Sequence, residues 1–227
     1  MNYSELEVLF EDNHLLSLNK PAGVLVQPDN RNNDSLEILV KEYIKNKYDK
    51  PGEVFLGVCH RIDRPVSGVV VMARTSKALV RLNEMFKTKE VHKTYWAVVE
   101  KMPVAKEGTL VHWLKKDEGK NVSRAWDKEV PGTQRCELHY NWLGSIDNYH
   151  LLEVNPITGR HHQIRVQLSA MGCPIKGDVK YHAKRGNRNG SIHLHARKVE
   201  FIHPVKKEPI EIIAPVPNDN VWRAFAK

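Results

Sequence analysis

Residues 68–73 read GVVVMA, and none of the six offers a polar side chain to water. An apolar run of strand length, bounded by polar residues, is a buried strand. Directly before it stands the opposite kind of sequence, HRIDRPVS, in which Asp63 is flanked by Arg61 and Arg64 and lies close to His60. Cations within a few ångströms favour the ionised form of a carboxylate. An ionised aspartate becomes a usable nucleophile when a substrate is brought against it and water is excluded. The same arginines suit a phosphate or the face of a base. A surface Arg–Asp pair on a turn explains the spacing just as well. Spacing alone leaves both readings open.

Around this run the chain alternates short elements. LEVLFEDNHLLSLNKP reads as two short strands about a turn at Asp12-Asn13, followed by a loop over Lys20, Pro21, Ala22 and Gly23. From Ser35 to Tyr48, Leu36, Leu39, Val40, Tyr43 and Ile44 recur at helical spacing behind Ser35 as cap. Ser76 opens a second helix carrying Leu79, Leu82 and Phe86. VHKTYWAVVE is rich in β-branched and aromatic residues, hence a strand. Gly108 to Ser145 reads as short strands broken by polar turns. A strand ending at Pro156 leads to a turn at Thr158-Gly159 and a segment that fits strand or helix, with length and Gly172 favouring a helix. SIHLHARKVEFIHP and PIEIIAPVP close the chain as strands. Short turns, more strands than helices and no repeat or long linker give an α+β fold. We expect one catalytic domain over residues 1–227, built on a mixed, largely antiparallel sheet flanked by helices.

Size and charge narrow the class. At 227 residues, against ~150 per domain, the chain suits one sizeable core. Lys plus Arg number 35 against 27 acids, a formal charge of +8 that leans towards a polyanion such as nucleic acid, or serves solubility alone. Cys59, Cys136 and Cys173 are scattered and odd in number, which suits a reducing compartment. The N-terminal segment is acidic where a signal peptide is basic, and no run reaches the ~18 apolar residues of a membrane span. The expectation is a cytoplasmic protein with no membrane partner.

Five motifs in order then settle on one family. HRIDRPVSGVVVMARTSKA resembles the catalytic motif of the RluA-type pseudouridine synthases, with Ile62 where Leu is commoner. NKPAGVLVQP is similar to their N-K-P-x-G-x-x-V-x-P loop, with Gln27 where His is commoner. VHKTYWAVVE resembles their K-x-Y strand, PITGRHHQIRVQLSAMGCPIKGD their T-G-R-x-H-Q-I-R and P-I-x-G-D segments, and IHLHARKVEFIHP their L-H-A strand. Together they cover most of Val8 to Pro215. Pro65, after the second arginine, is a pattern of a branch acting on tRNA.

The resemblance implies an RNA isomerase that detaches uracil from its ribose, turns it and rejoins it through carbon, using one aspartate, no cofactor and no metal. It implies Asp63 as nucleophile, attacking base or sugar, Tyr95 as the residue stacked on a flipped base, and Arg165 as the cation pairing with the acid. It implies Arg61 in the gap left by the flipped base, and Ile192 and Leu194 as the apolar wall of the uracil pocket. Lys93, Arg64, Arg160 and His162 fall within its motifs as RNA-binding residues. Without the resemblance, Tyr95 would be read as a strand aromatic in a core, Arg165 as a solvated helix position, and Ile192 and Leu194 as core strand.

Two further classes compete. An RNA-binding module or chaperone that keeps the fold but does no chemistry is weakened by the presence of Asp63, Tyr95 and Arg165 together. A zinc-dependent deaminase would need H-x-E with P-C-x-x-C, and the sequence holds no such cysteine pair. The stretch HAKRGNRNGS, His182 to Ser191, fits an RNA-contacting arm or a merely mobile loop. Since the catalytic pattern begins near Leu6, the small N-terminal RNA-binding domain of many relatives is expected to be absent. The partner expected is RNA, either tRNA or rRNA, met by a monomer with no obligate protein partner.

Overall fold

The computed structural model describes residues 2–29 and 34–226. The chain divides into two compact units: Met1–His92 with Ala196–Val216, and Lys93–His195 with Pro217–Lys227.

The first unit starts with a hairpin, β1 (Val8–Glu11) and β2 (Leu15–Lys20), whose turn is held by Asp12: its Oδ1 accepts from the backbone N–H groups of His14 and Leu15, each at 2.8 Å. Helix α1 (Leu36–Lys47) follows, with Ser35 as cap and Leu36, Val40 and Ile44 on its buried side. The two-residue strand β3 (Gly57–Val58) pairs with β4 (Ser67–Ala73), every residue of which is buried. β2 runs antiparallel along β4, pairing Leu15 with Ala73 through to Lys20 with Gly68. Helix α2 (Ser76–Lys87), capped by Thr75, buries Ala78, Leu82 and Met85. β10 (Leu194–Ile202) neighbours β4, and β11 (Pro209–Ile213) pairs with β10. The core of this unit gathers Leu15, Val69, Val71, Leu82, Val199 and Phe201. One contact fixes a residue type: Gly68 has φ +115°, and a Cβ there would fall 2.3 Å from the carbonyl oxygen of Ala196.

The second unit is an antiparallel succession, β5–β9–β8–β6–β7 in space. These are β5 (His92–Val99), β6 (Glu107–Asp117), β7 (Val122–Trp126), β8 (Gln134–Ile146) and β9 (Tyr149–Pro156). The short strands expected over 108–145 are instead long, β6 having 11 residues and β8 13. Their polar residues are not breaks but mostly the outward half of an alternation, as in β8, where Cys136, Leu138 and Tyr140 are buried while His139 and Asn141 between and beside them are exposed. The ambiguous segment after Gly159 is helix α3 (Gln163–Ala170), entered through His162 at φ 54°. A short helix, α4 (Asn220–Phe225), capped by Asp219 and anchored by buried Trp222, was not expected from the sequence. Six residues carry too little periodicity to be seen. Among the described residues there are eleven strands and four α-helices, an α+β fold.

Candidate active site

Asp63 belongs to the first unit, on the loop that joins β3 to β4, and is half-buried. The loop is fastened at both ends. At its start, the ring of His60 stacks on Phe86 with centroids 4.8 Å apart, and His60 Nε2 accepts from the Val71 N–H at 2.9 Å. That bond assigns His60 to structure, since it ties the motif to the middle of β4. At its end, the Asp63 carbonyl accepts from the Val66 N–H at 3.0 Å, closing a turn around Arg64 and Pro65.

The Arg64 peptide is then locked to the Lys20–Gly23 loop. The Gly23 N–H donates to the Arg64 carbonyl at 2.7 Å, and Arg64 Nε donates back to the Gly23 carbonyl at 2.8 Å. Lys20, the last residue of β2, is 0% exposed and sends its ammonium to three carbonyls: Pro21 at 2.9 Å, Val24 at 2.8 Å and Arg64 at 3.3 Å. Burial pushes its pKa down to about 7, Asp63 pulling it up and Arg64 pushing it further down. Three acceptors match the three protons of the charged form. Lys20 is an anchor of this loop that sequence reasoning missed; the N-K-P motif contains it, but its partners are backbone oxygens that no motif displays. Arg61 is exposed and reaches Gln27 Oε1 at 3.4 Å, the position where the related motif more often has His.

The remaining expected residues belong to the second unit. Lys93 and Tyr95 share a face of β5, being two residues apart on a strand. Both are half-buried, and burial lowers the pKa of Lys93. A Cβ on Gly159 would lie 3.9 Å from Lys93 Nζ, which places that ammonium beside the Thr158-Gly159 turn. The turn is pinned by Gln163, whose Oε1 accepts from Thr158 Oγ1 at 2.8 Å and the Arg160 N–H at 3.0 Å, while its Nε2 donates to the Glu137 carbonyl at 3.0 Å. Arg160 itself projects into solvent. Ile192 and Leu194 are buried.

On α3, Arg165 is not a solvated position. Its side chain is 5% exposed and makes two parallel hydrogen bonds to Asp178, Nε to Oδ2 at 2.7 Å and Nη2 to Oδ1 at 2.8 Å, the acid being 1% exposed. The guanidinium carbon lies 5.0 Å from the centre of the Tyr181 ring. The Tyr181 hydroxyl accepts from the Ser123 N–H at 2.8 Å and lies 2.7 Å from His162 Nδ1. The His162 ring is buried. Burial, and then Arg165, push its pKa down to about 2, which keeps the ring uncharged in ordinary conditions. Asp178 and Tyr181 also escaped sequence reasoning, although both stand in the quoted P-I-x-G-D segment or just after it.

The first unit therefore offers a half-buried carboxylate on a loop fastened at both ends, and the second unit, by itself, a guanidinium held by a bidentate acid and a buried, neutral imidazole. Among the described residues no three His, Cys, Asp or Glu side chains converge as metal ligands. The stacked pair His161 and His162, centroids 3.8 Å apart, is absorbed by Ser123, Asn121 and Tyr181.

Known proteins resemble this chain in sequence and fold. The family model described as RNA pseudouridylate synthase matches residues 14–170. An uncharacterized RNA pseudouridine synthase of Bacillus subtilis, YhcT, is 35% identical over 98% of this chain and 73% of its own length. The ribosomal large subunit pseudouridine synthase D of Xylella fastidiosa is 32% identical over 94% of this chain and 67% of its own length. Among solved structures, human RNA pseudouridylate synthase domain containing 4 superposes with a TM-score of 0.78 at 26% identity, covering 96% of this chain and 92% of that one. With the motif order, the fold and the matched span in agreement, the chain belongs to the RNA pseudouridine synthases, isomerases that act on RNA.

Proposed function

We propose that the chain isomerises a specific uridine of a structured RNA, a tRNA or a short rRNA stem-loop, with Asp63 as the nucleophile and no cofactor. The Asp63 carboxylate bonds to the base or the sugar and is later expelled as carboxylate; the C1′–N1 bond breaks, the C1′–C5 bond forms, C5 gives up its proton and N1 takes one up, so the product is an isomer of the substrate. The observation that carries the choice of Asp63 is the clamp on its loop. Lys20 and Gly23 hold the Arg64 peptide through three hydrogen bonds to one carbonyl and one guanidinium, leaving the neighbouring carboxylate in a set place.

By resemblance, Tyr95 stacks on the target base, Arg165 is the cation that partners the acid, Arg61 fills the gap in the RNA, and Ile192 and Leu194 wall the uracil. Lys93, Arg64, Arg160 and His162 contact the RNA. The rigidity of Arg165 on Asp178 supports its part, because a guanidinium already in place loses no entropy when it engages a charge. The matched span crosses from the first unit into the second, which supports a single catalytic domain over residues 1–227. A cytoplasmic monomer working without a protein partner completes the reading.

The Xylella relative is named for the ribosomal large subunit, whereas Pro65 leans towards tRNA. One experiment decides both activity and substrate. Pseudouridines are mapped by carbodiimide labelling in tRNA and rRNA from cells lacking this protein and from their parent, then again after adding purified protein in chelator. A position that vanishes and returns confirms the isomerase and names its RNA. Identical maps would overturn the reading in favour of an RNA-binding module.

A further inference from the structure

The second unit holds an open pocket of about 370 Å³ in which none of the residues assigned to the target uridine takes part. Its wall includes Lys176, Asn187, Arg188, Ser191, His193 and Asp219. The loop carrying Asn187 closes tightly on Gly177, at φ +88°, where a Cβ would lie 2.5 Å from Asn187 Nδ2 and 2.9 Å from the Ser191 carbonyl oxygen. Only glycine allows that approach.

The polar groups are oriented. Asn187 Oδ1 accepts from Lys176 Nζ at 2.8 Å, which fixes the amide, so Nδ2 donates to the Ser191 carbonyl at 2.9 Å and faces His193 Nδ1 at 3.1 Å. His193 Nδ1 is thus an acceptor, and the neutral ring carries its proton on Nε2. The ring lies flat on Trp222, centroids 5.4 Å apart. Burial, and then Lys176, push its pKa down to about 4, so this wall stays uncharged near neutrality. Asp219 lies opposite, with Oδ1 3.5 Å from His193 Nε2, but that oxygen already accepts from the Val221 and Trp222 N–H groups at 2.9 and 3.0 Å.

The pocket therefore offers two cations, one of them the exposed Arg188, beside a carboxylate whose second oxygen is outside the helix cap. An inorganic anion would be drawn by the cations and repelled by Asp219. A group carrying both a negative charge and N–H donors satisfies both halves, and a nucleotide is such a group. We infer that this pocket takes one nucleotide of the RNA other than the target uridine, its phosphate against Lys176 and Arg188 and a donor edge of its base towards Asp219. The volume suits a ligand of that size. The basic stretch from Lys184 to Arg188 supplies the approach to the phosphate. This rests on the reading of the chain as an RNA isomerase.

The test has a binding arm that needs no turnover. Cytidine 5′-monophosphate and inorganic phosphate are titrated separately into isotope-labelled protein, following the Asn187 side-chain amide and the His193 ring. The nucleotide should shift both signals at concentrations where phosphate does not, and Arg188→Ala should abolish the shift. In the second arm, binding of a mixed-sequence ribonucleotide decamer is measured against salt for wild type, Arg188→Ala and Lys176→Gln. Each variant should lower the salt slope by about 1. On the mapped RNA, Arg188→Ala should raise KM several-fold and leave kcat unchanged. Unmoved signals, equal shifts by phosphate, or wild-type slope and KM in Arg188→Ala would each overturn the nucleotide subsite. Absence of pseudouridine formation by wild type would instead fall on the isomerase reading, and the titration would still decide the pocket.

Discussion

At the scale of single residues, the decisive groups are those that hold others still. Tyr181 shows how one residue can tie three others: its hydroxyl takes the Ser123 N–H and lies 2.7 Å from His162 Nδ1, while its ring covers Arg165. Tyr181→Phe keeps the ring and strands two buried polar groups. Denaturant unfolding should show a loss of about 1–3 kcal/mol. A variant as stable as wild type would show that Ser123 and His162 do not depend on that oxygen. Asp63, Tyr95 and Arg165 stood out in the sequence because they stand in motifs; Lys20, Asp178 and Tyr181 did not, because what they do lies in their partners. Lys20 is one of 35 basic residues until its three carbonyls are seen.

At the scale of elements, the strand 68–73 was legible because an unbroken apolar run has one solution, and it lies within β4 as read. Helices α1 and α2 were legible from their spacing and from Ser35 and Ser76 at their starts, the cap of α2 being Thr75 one residue earlier. β6 and β8 were underestimated because alternation with charged residues looks like interruption. Close packing was invisible at Gly68, where φ +115° and the Ala196 backbone both demand glycine. Gly68→Ala should lower stability by about 2 kcal/mol or more, read from the unfolding midpoint, or prevent folding. A neutral substitution would mean that β4 and β10 separate without cost.

The β1–β2 hairpin carries an acid-sensitive link. Burial raises the pKa of Asp12, but the backbone N–H of His14, the Lys206 ammonium and the Leu15 N–H outweigh it and bring it from 3.8 to about 2. A carboxyl whose folded pKa is depressed stabilises the fold above its unfolded value, and that stabilisation is lost as pH falls from about 4 towards 2. Asp12→Asn should flatten this part of the stability curve. An unchanged acid limb would assign it to other carboxylates.

For the whole molecule, a formal charge of +8 fits a polyanionic substrate, and salt should weaken RNA binding steeply. In the proposed mechanism affinity and chemistry rest on different groups, cations for the one and the Asp63 carboxylate for the other. The most direct measurement compares wild type with Asp63→Asn on the mapped RNA, reading pseudouridine formation and RNA dissociation constant together. Turnover should fall by at least about 10³-fold, with affinity within a few-fold, because the phosphate contacts survive. Full turnover by Asp63→Asn would contradict the account, whatever its affinity for RNA.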